Sequence, residues 1–152
     1  MEVFRLSRKE FAGELSGKGA AIRGARWNPT GVEMIYAAAN CSLAMAEVAV
    51  HFTLAALPGD FLMLTIHVPE HLSRQRLNVE DLPDGWNAFP HTRKTQLIGD
   101  RFVSEGKACL LEVPSVVVRG DYNWLINPAH KEAREIKIVG AEPFPLDARI
   151  FR

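Results

Sequence analysis

Met34–Leu57 reads MIYAAANCSLAMAEVAVHFTLAAL, a short apolar run, a polar hinge and then a longer run of small and apolar residues. Met34-Ile35-Tyr36-Ala37-Ala38 suits a half-buried strand. Asn40 or Ser42 can cap a helix that begins there, because either side-chain oxygen accepts a backbone N–H orphaned in the first turn. That helix is expected to run from Cys41 to near Leu57, before Pro58-Gly59. It carries one carboxylate, Glu47, into apolar surroundings. An unpaired buried carboxylate costs several kcal/mol or neutralises, so Glu47 calls for a cation, hydrogen bonds or a ligand that brings positive charge. Upstream, Gly24-Ala25-Arg26-Trp27-Asn28-Pro29 sets a guanidinium, an indole and an amide side by side. Together they suggest a site for a polar ligand of mixed charge.

Outward from this stretch, Val3–Leu6 reads as a short strand, followed by a polar helical or irregular stretch to Leu15 and a glycine-rich segment from Gly17 to Gly24. Phe61–Val68 is the clearest strand and Pro69 ends it. Pro83, Gly85 and Pro90 make Asn78–Asp100 a turn-rich, structured loop. Ala108–Val113 and Val116–Val118 read as strands interrupted at Pro114-Ser115, and Asn123 with Asn127-Pro128 as a turn. Ile136–Val139 and Ala148–Phe151 supply two more strands. Strands outnumber helices and do not alternate with them, which disfavours a doubly wound parallel sheet. The expectation is α+β: a single compact domain over 1–152 with a mixed, mostly antiparallel sheet.

Composition narrows the function. The 152 residues hold 18 Lys plus Arg against 18 Asp plus Glu, so no net field attracts a nucleic-acid backbone and direct nucleic-acid binding is not expected. No apolar run approaches the ~18 residues of a membrane span, and Met1–Glu10 interleaves charge with apolar residues unlike a secretory leader. The expected location is the cytoplasm. Cys41 and Cys109 form no Cys-x-x-Cys pair and read as reduced, packed thiols.

Several local patterns weaken on inspection. Ser16-Gly17-Lys18-Gly19-Ala20 is not a Walker loop, because Gly19 follows the lysine, nor a dinucleotide fingerprint, because Ile22 stands where the third glycine belongs. It reads as a flexible loop beside a site or as a structural turn. Glu47 and His51 lie one turn apart, the spacing of a metal pair, but no third ligand appears at a recognisable spacing. No metal is expected, and a hydrogen bond from His51 to Glu47 or to a carbonyl is the plainer reading. Ser115 lacks the Gly-x-Ser-x-Gly context of a nucleophile. It reads as a hydrogen-bonding hydroxyl. Trp27, Tyr36 and Trp124 are core residues by default.

In order, however, the signals become specific: Gly17-x-Gly19-Ala20, Gly24-Ala25-Arg26-Trp27-Asn28-Pro29, Ile35-Tyr36-Ala37, Ala46-Glu47-Val48-x-Val50-His51, Thr95-Gln96-x-x-Gly99-Asp100, Val113-Pro114-Ser115, Asn123-x-x-x-Asn127-Pro128 and Phe144-x-x-Asp147-x-Arg149. This series resembles the RES domain family, named for an arginine, a glutamate and a serine, here Arg26, Glu47 and Ser115. Ala25 departs from it, standing where the family commonly has a second glycine.

The resemblance implies a fold like that of ADP-ribosyltransferases and a toxin of a toxin–antitoxin pair that depletes NAD⁺, with NAD⁺ as substrate and no further cofactor. It also implies an Xre-type helix-turn-helix antitoxin as partner, and a homodimer. On that reading Arg26, Glu47, Tyr36 and Ser115 are catalytic, and Arg26, Tyr36, Trp27, Asn28, Ser115 and Asn127 bind the substrate. Glu47 would stabilise oxocarbenium character on the ribose, Arg26 clamp phosphate and pair with Glu47 in the empty site, Tyr36 face nicotinamide, and Ser115 meet the carboxamide or ribose. Water or phosphate would accept the ADP-ribosyl group. ADP-ribosyl transfer to a protein or small molecule is the alternative, and a catalytically idle nucleotide- or partner-binding module is the competitor from another class.

Overall fold

The computed structural model describes residues 1–151. Its centre is one seven-stranded sheet built from β1 (Glu2–Arg8), β2 (Ile35–Ala38), β3 (Phe61–His67), β4 (Arg74–Arg76), β5 (Leu110–Pro114), β6 (Tyr122–Ile126) and β7 (Lys137–Pro143). The strand order is β4-β5-β6-β2-β1-β3-β7, and every neighbouring pair is antiparallel except β4 with β5. Three α-helices accompany it: α1 (Lys18–Arg23), α2 (Cys41–Ala49) and α3 (Arg93–Glu105). The α+β architecture is therefore as the sequence implied. No helix among the described residues is long and apolar enough to cross a membrane.

Period-two alternation sorts the sheet into two faces. Val3, Ile35, Ala37, Leu64, Ile66, Leu110, Trp124 and Ile126 share one face and one buried cluster. On the other face a cluster around Trp27, Met34, Phe102, Leu111, Val113 and Leu125 adjoins one around Leu6, Ala38, Leu43, Ala44, Phe61 and Met63. Tyr36 packs against the first of these two, and α2 supplies part of the second. The candidate site lies on this face.

Five segments differ from expectation. The helix begun at Asn40 stops at Ala49, not Leu57; His51 and Phe52 take tighter i→i−3 bonds to Val48 and Ala49. The turn brings the Phe52 ring edge-on to Phe61, centroids 5.8 Å apart, contact that a straight continuation would forfeit. The expected loop Asn78–Asp100 contains the start of α3. Val116–Val118 is no strand but a bend folded around Ser115, whereas the expected turn at Asn123 is β6. Ala148–Phe151 forms a short 3₁₀ turn instead of a strand.

Candidate functional site

Glu47 reaches the site because of where α2 puts it. Asn40 caps the helix, its Oδ1 accepting from Leu43 N at 2.8 Å. Leu43 and Ala44 then face the sheet, and residues one turn later, Glu47 and Val48, lie on the same stripe. The half-buried carboxylate meets Ser115, which follows β5, and Asn123 on β6. Both donate to one oxygen, Oε1: Ser115 Oγ at 2.7 Å and Asn123 Nδ2 at 2.6 Å. Among the described residues Oε2 accepts nothing.

Ser115 is oriented by its own bend. Its hydroxyl oxygen accepts Val117 N at 3.1 Å and Val118 N at 3.0 Å. A serine hydroxyl has two lone pairs and one proton, so with both lone pairs engaged the proton goes to Glu47. The bend is closed by Ser115 N donating to Asp121 O at 2.8 Å, and Asn40 Nδ2 donates to the Asp121 carboxylate at 3.3 Å. The cap of α2 and the serine bend thus hold Glu47 from both ends.

Arg26 sits nearby. Glu47 and Tyr36 both act electrostatically on its guanidinium, although burial outweighs them and lowers its pKa from the usual arginine value. The expected Arg26–Glu47 ion pair is absent among the described residues. Arg26 Nη1 instead donates to the backbone carbonyls of Trp86 at 2.7 Å and Ala88 at 3.0 Å. These carbonyls neutralise nothing, so the guanidinium keeps its full charge, and Nε and Nη2 have no acceptor among the described residues.

The segment that carries Arg26 is pressed against α3. A Cβ on Gly99 would lie 1.5 Å from Trp27 O, so only glycine admits this approach. One turn earlier Gln96 Nε2 donates to Ala25 O at 3.1 Å. Gly24 ends α1 at φ +73°. Tyr36 Oη donates to Asn28 Oδ1 at 2.6 Å and accepts Trp27 N at 3.2 Å, which ties the segment to β2. Burial is the main cause holding the Tyr36 phenol well above the ordinary tyrosine pKa.

The other residues expected to bind substrate have structural work. Asn28 is fully buried, its Nδ2 donating to the carbonyls of Ala20, Pro29 and Val32. Trp27 is buried in the core. Asn127, also buried, accepts Ala129 N and donates to Val103 O beyond the far end of β6. His51 is exposed and makes no bond to Glu47 among the described residues. Gly17 marks close contact, since a Cβ there would meet Met34 N at 2.6 Å; Lys18–Arg23 of the glycine-rich segment is α1, not loop. Asn123 is the residue that sequence reasoning missed. The alternation Tyr122-Asn123-Trp124-Leu125-Ile126 was the available signal for a strand, and places Asn123 on the face of Leu125, the site face.

Two other features compete for attention. A cleft of about 690 Å³ includes Leu15, Ile35, Ile126 and Ile138 with Lys131 and Arg134. It opens on the opposite face of the sheet and lacks the carboxylate–hydroxyl–amide grouping, so convergence of side chains, not size, locates the candidate site. Metal-type donors of Cys109, His130 and Glu132 lie within 4.8 Å of one another. They are engaged elsewhere: Glu132 accepts both Ser73 N and Ser73 Oγ, and His130 Nδ1 accepts Glu132 N. Burial first, then the charges of Glu132 and Glu135, pushes the Cys109 thiol up to about 11. The group reads as a hydrogen-bonded joint.

Known proteins resemble this chain in sequence and in fold. The RES domain family's sequence model matches residues 2–147. A "Prs ADP-ribosylating toxin" of Sphingobium sp. (strain YBL2) is 38% identical over 143 residues, covering 93% of this chain and 89% of the relative. "Toxin Res" of Pseudomonas putida is 36% identical over 140 residues, covering 91% and 93%. The fold matches a chain of the crystal structure of the M. tuberculosis MbcT–MbcA toxin–antitoxin complex, with a TM-score of 0.74 and 18% identity over 99% of this chain and 86% of that one.

Proposed function

Because the chain belongs to the RES domain family, we propose that it is the toxin of a toxin–antitoxin pair and that it cleaves the nicotinamide–ribose bond of NAD⁺. The observation that carries this reading is the Glu47 carboxylate, fixed through Oε1 by Ser115 and Asn123 with Oε2 left over, beside an uncompensated arginine. Breaking the bond between nicotinamide N1 and ribose C1′ sends the electron pair out with nicotinamide, which departs neutral and needs no general acid. Positive charge grows on the ribose. A carboxylate oxygen held in place before that charge appears stabilises it at no cost of reorganisation. Arg26 offers Nε and Nη2 to the pyrophosphate, where a planar guanidinium outperforms an ammonium.

Water or phosphate then attacks C1′, releasing its proton to solvent. Ser115 serves as a positioning residue in this scheme, since its proton is committed to Glu47. The name of the Sphingobium relative favours a second reading, in which a macromolecular nucleophile takes the ADP-ribosyl group. A partner follows from the same comparisons: relatives are named as toxins, and the structural neighbour is part of a toxin–antitoxin complex. An Xre-type helix-turn-helix antitoxin is our proposal for that partner.

The test is release of nicotinamide from NAD⁺ by purified, antitoxin-free protein. Glu47→Gln keeps the shape and deletes the charge, and release should fall by about 10²-fold or more. Undiminished release would sink the reading. Label in the adenosine half separates the two acceptor classes, because only transfer leaves it on a macromolecule.

A further inference from the structure

Phe89, at 87% exposure, is the most exposed large apolar residue among those described. Its neighbours in the same loop are fastened down: Leu82 and Trp86 pack on the core cluster of the site face, and turns close from Trp86 N to Pro83 O and from Ala88 N to Gly85 O. The Trp86 and Ala88 carbonyls, just before Phe89 in the chain, are the ones that grip Arg26. A loop held by these bonds therefore presents a phenyl ring to solvent one residue beyond a carbonyl that holds the guanidinium. An aromatic face held out by its own backbone, beside a cation with two free donors, matches a ligand that couples phosphate to a planar base.

We propose that Phe89 is the stacking platform for the adenine of the dinucleotide. This rests on the NAD⁺ reading above and deepens it. With Glu47 at the reacting ribose and Arg26 at the pyrophosphate, the loop that holds Arg26 meets the adenosine half. Arg26 is then a double anchor: Nη1 fixes the loop that carries the ring, while Nε and Nη2 face phosphate. Since the Phe89 side chain is almost wholly exposed, its replacement should spare the fold.

The experiment compares Phe89→Ala and Phe89→Trp on NAD⁺, on nicotinamide mononucleotide, which lacks adenine, and in calorimetric binding of ADP-ribose. The alanine variant should raise KM for NAD⁺ and Kd for ADP-ribose by about 5- to 100-fold, the range of one base–aromatic stack. The tryptophan variant should restore both, and kinetics on the mononucleotide should stay unchanged. Equal damage on the two substrates, or unaltered ADP-ribose affinity, overturns the proposal. So does a variant impaired only in antitoxin binding, which would make the ring a partner contact. If wild-type protein releases no nicotinamide, the cleavage reading fails, and ADP-ribose binding by wild type and variant still decides the adenine subsite.

Discussion

At the scale of single residues, Ser115 and Asn123 share one task, so their removal should not add. Each bond to a charged oxygen contributes about 1.5–3 kcal/mol, and Ser115→Ala or Asn123→Ala should each lower kcat about 10- to 100-fold with KM little changed. The double variant should fall well short of the product of the two losses, because a carboxylate already loosened has little orientation left to lose. A loss that multiplied, or appeared in KM alone, would instead give Ser115 a direct contact with substrate. Tyr36 carries a separate prediction. Its phenol pKa is raised in the folded chain, chiefly by burial, so the folded state holds the proton more tightly than the unfolded. That contribution is complete below the unfolded pKa of ~10 and is lost as pH rises above it. The melting temperature should fall more steeply above pH ~10 in wild type than in Tyr36→Phe. At neutral pH the phenylalanine variant should itself lose about 1–3 kcal/mol, because Asn28 Oδ1 is left buried without its donor, as urea titration would show.

At the scale of elements, α3 and the Arg26 segment act as one part. Gly99→Ala would force a methyl into Trp27 O. Relief requires the helix to back away, costing about 1–3 kcal/mol and about 2–12 °C in melting temperature. Nicotinamide release should fall with it even below the melting range, since Gln96 and Gly99 set where Arg26 stands. An alanine variant with wild-type stability would mean that the contact is looser than described. The same contact explains what the sequence hid. Strands β1, β2, β3, β5 and β7 were legible from β-rich runs, those of β3, β5 and β7 ending at proline or glycine, and Glu47 stood out as a charge in an apolar helix. α3 was obscured because its sheet-facing stripe runs through Thr95 and Gly99 before Phe102, and a glycine reads as a breaker until something is seen to press against it. Asn123 was lost because asparagine suggests turns. Its place in β6 follows from pairing with Ala38 and Val113, a tertiary fact. The Arg26 partners were invisible in principle, because they are backbone carbonyls of residues 60 and 62 positions away.

At the scale of the molecule, the candidate site joins parts distant in sequence: Arg26 on the segment before β2, Glu47 on α2, Ser115 after β5 and Asn123 on β6. Two apolar clusters meet on that face, one gripping the arginine segment through Trp27 and the other gripping α2 through Leu43 and Ala44. A dinucleotide lying between them would tie one to the other, and whatever binds only the folded chain raises its stability by mass action. ADP-ribose, which has the pyrophosphate but no bond to cleave, should therefore raise the melting temperature. At 100 times its Kd the gain is about 2.7 kcal/mol, or roughly 5–10 °C for a chain of this size. The shift should vanish in Arg26→Ala, which removes the phosphate clamp and unfastens the Trp86–Ala88 loop together. It should survive in Glu47→Gln, because that carboxylate acts on charge that develops only as the glycosidic bond breaks. Separation of the two variants by differential scanning fluorimetry is the informative result. Were both to lose the shift equally, Glu47 would be part of ground-state binding and its assigned role in the transition state would fall, whereas an undiminished shift in Arg26→Ala would remove the phosphate from Arg26.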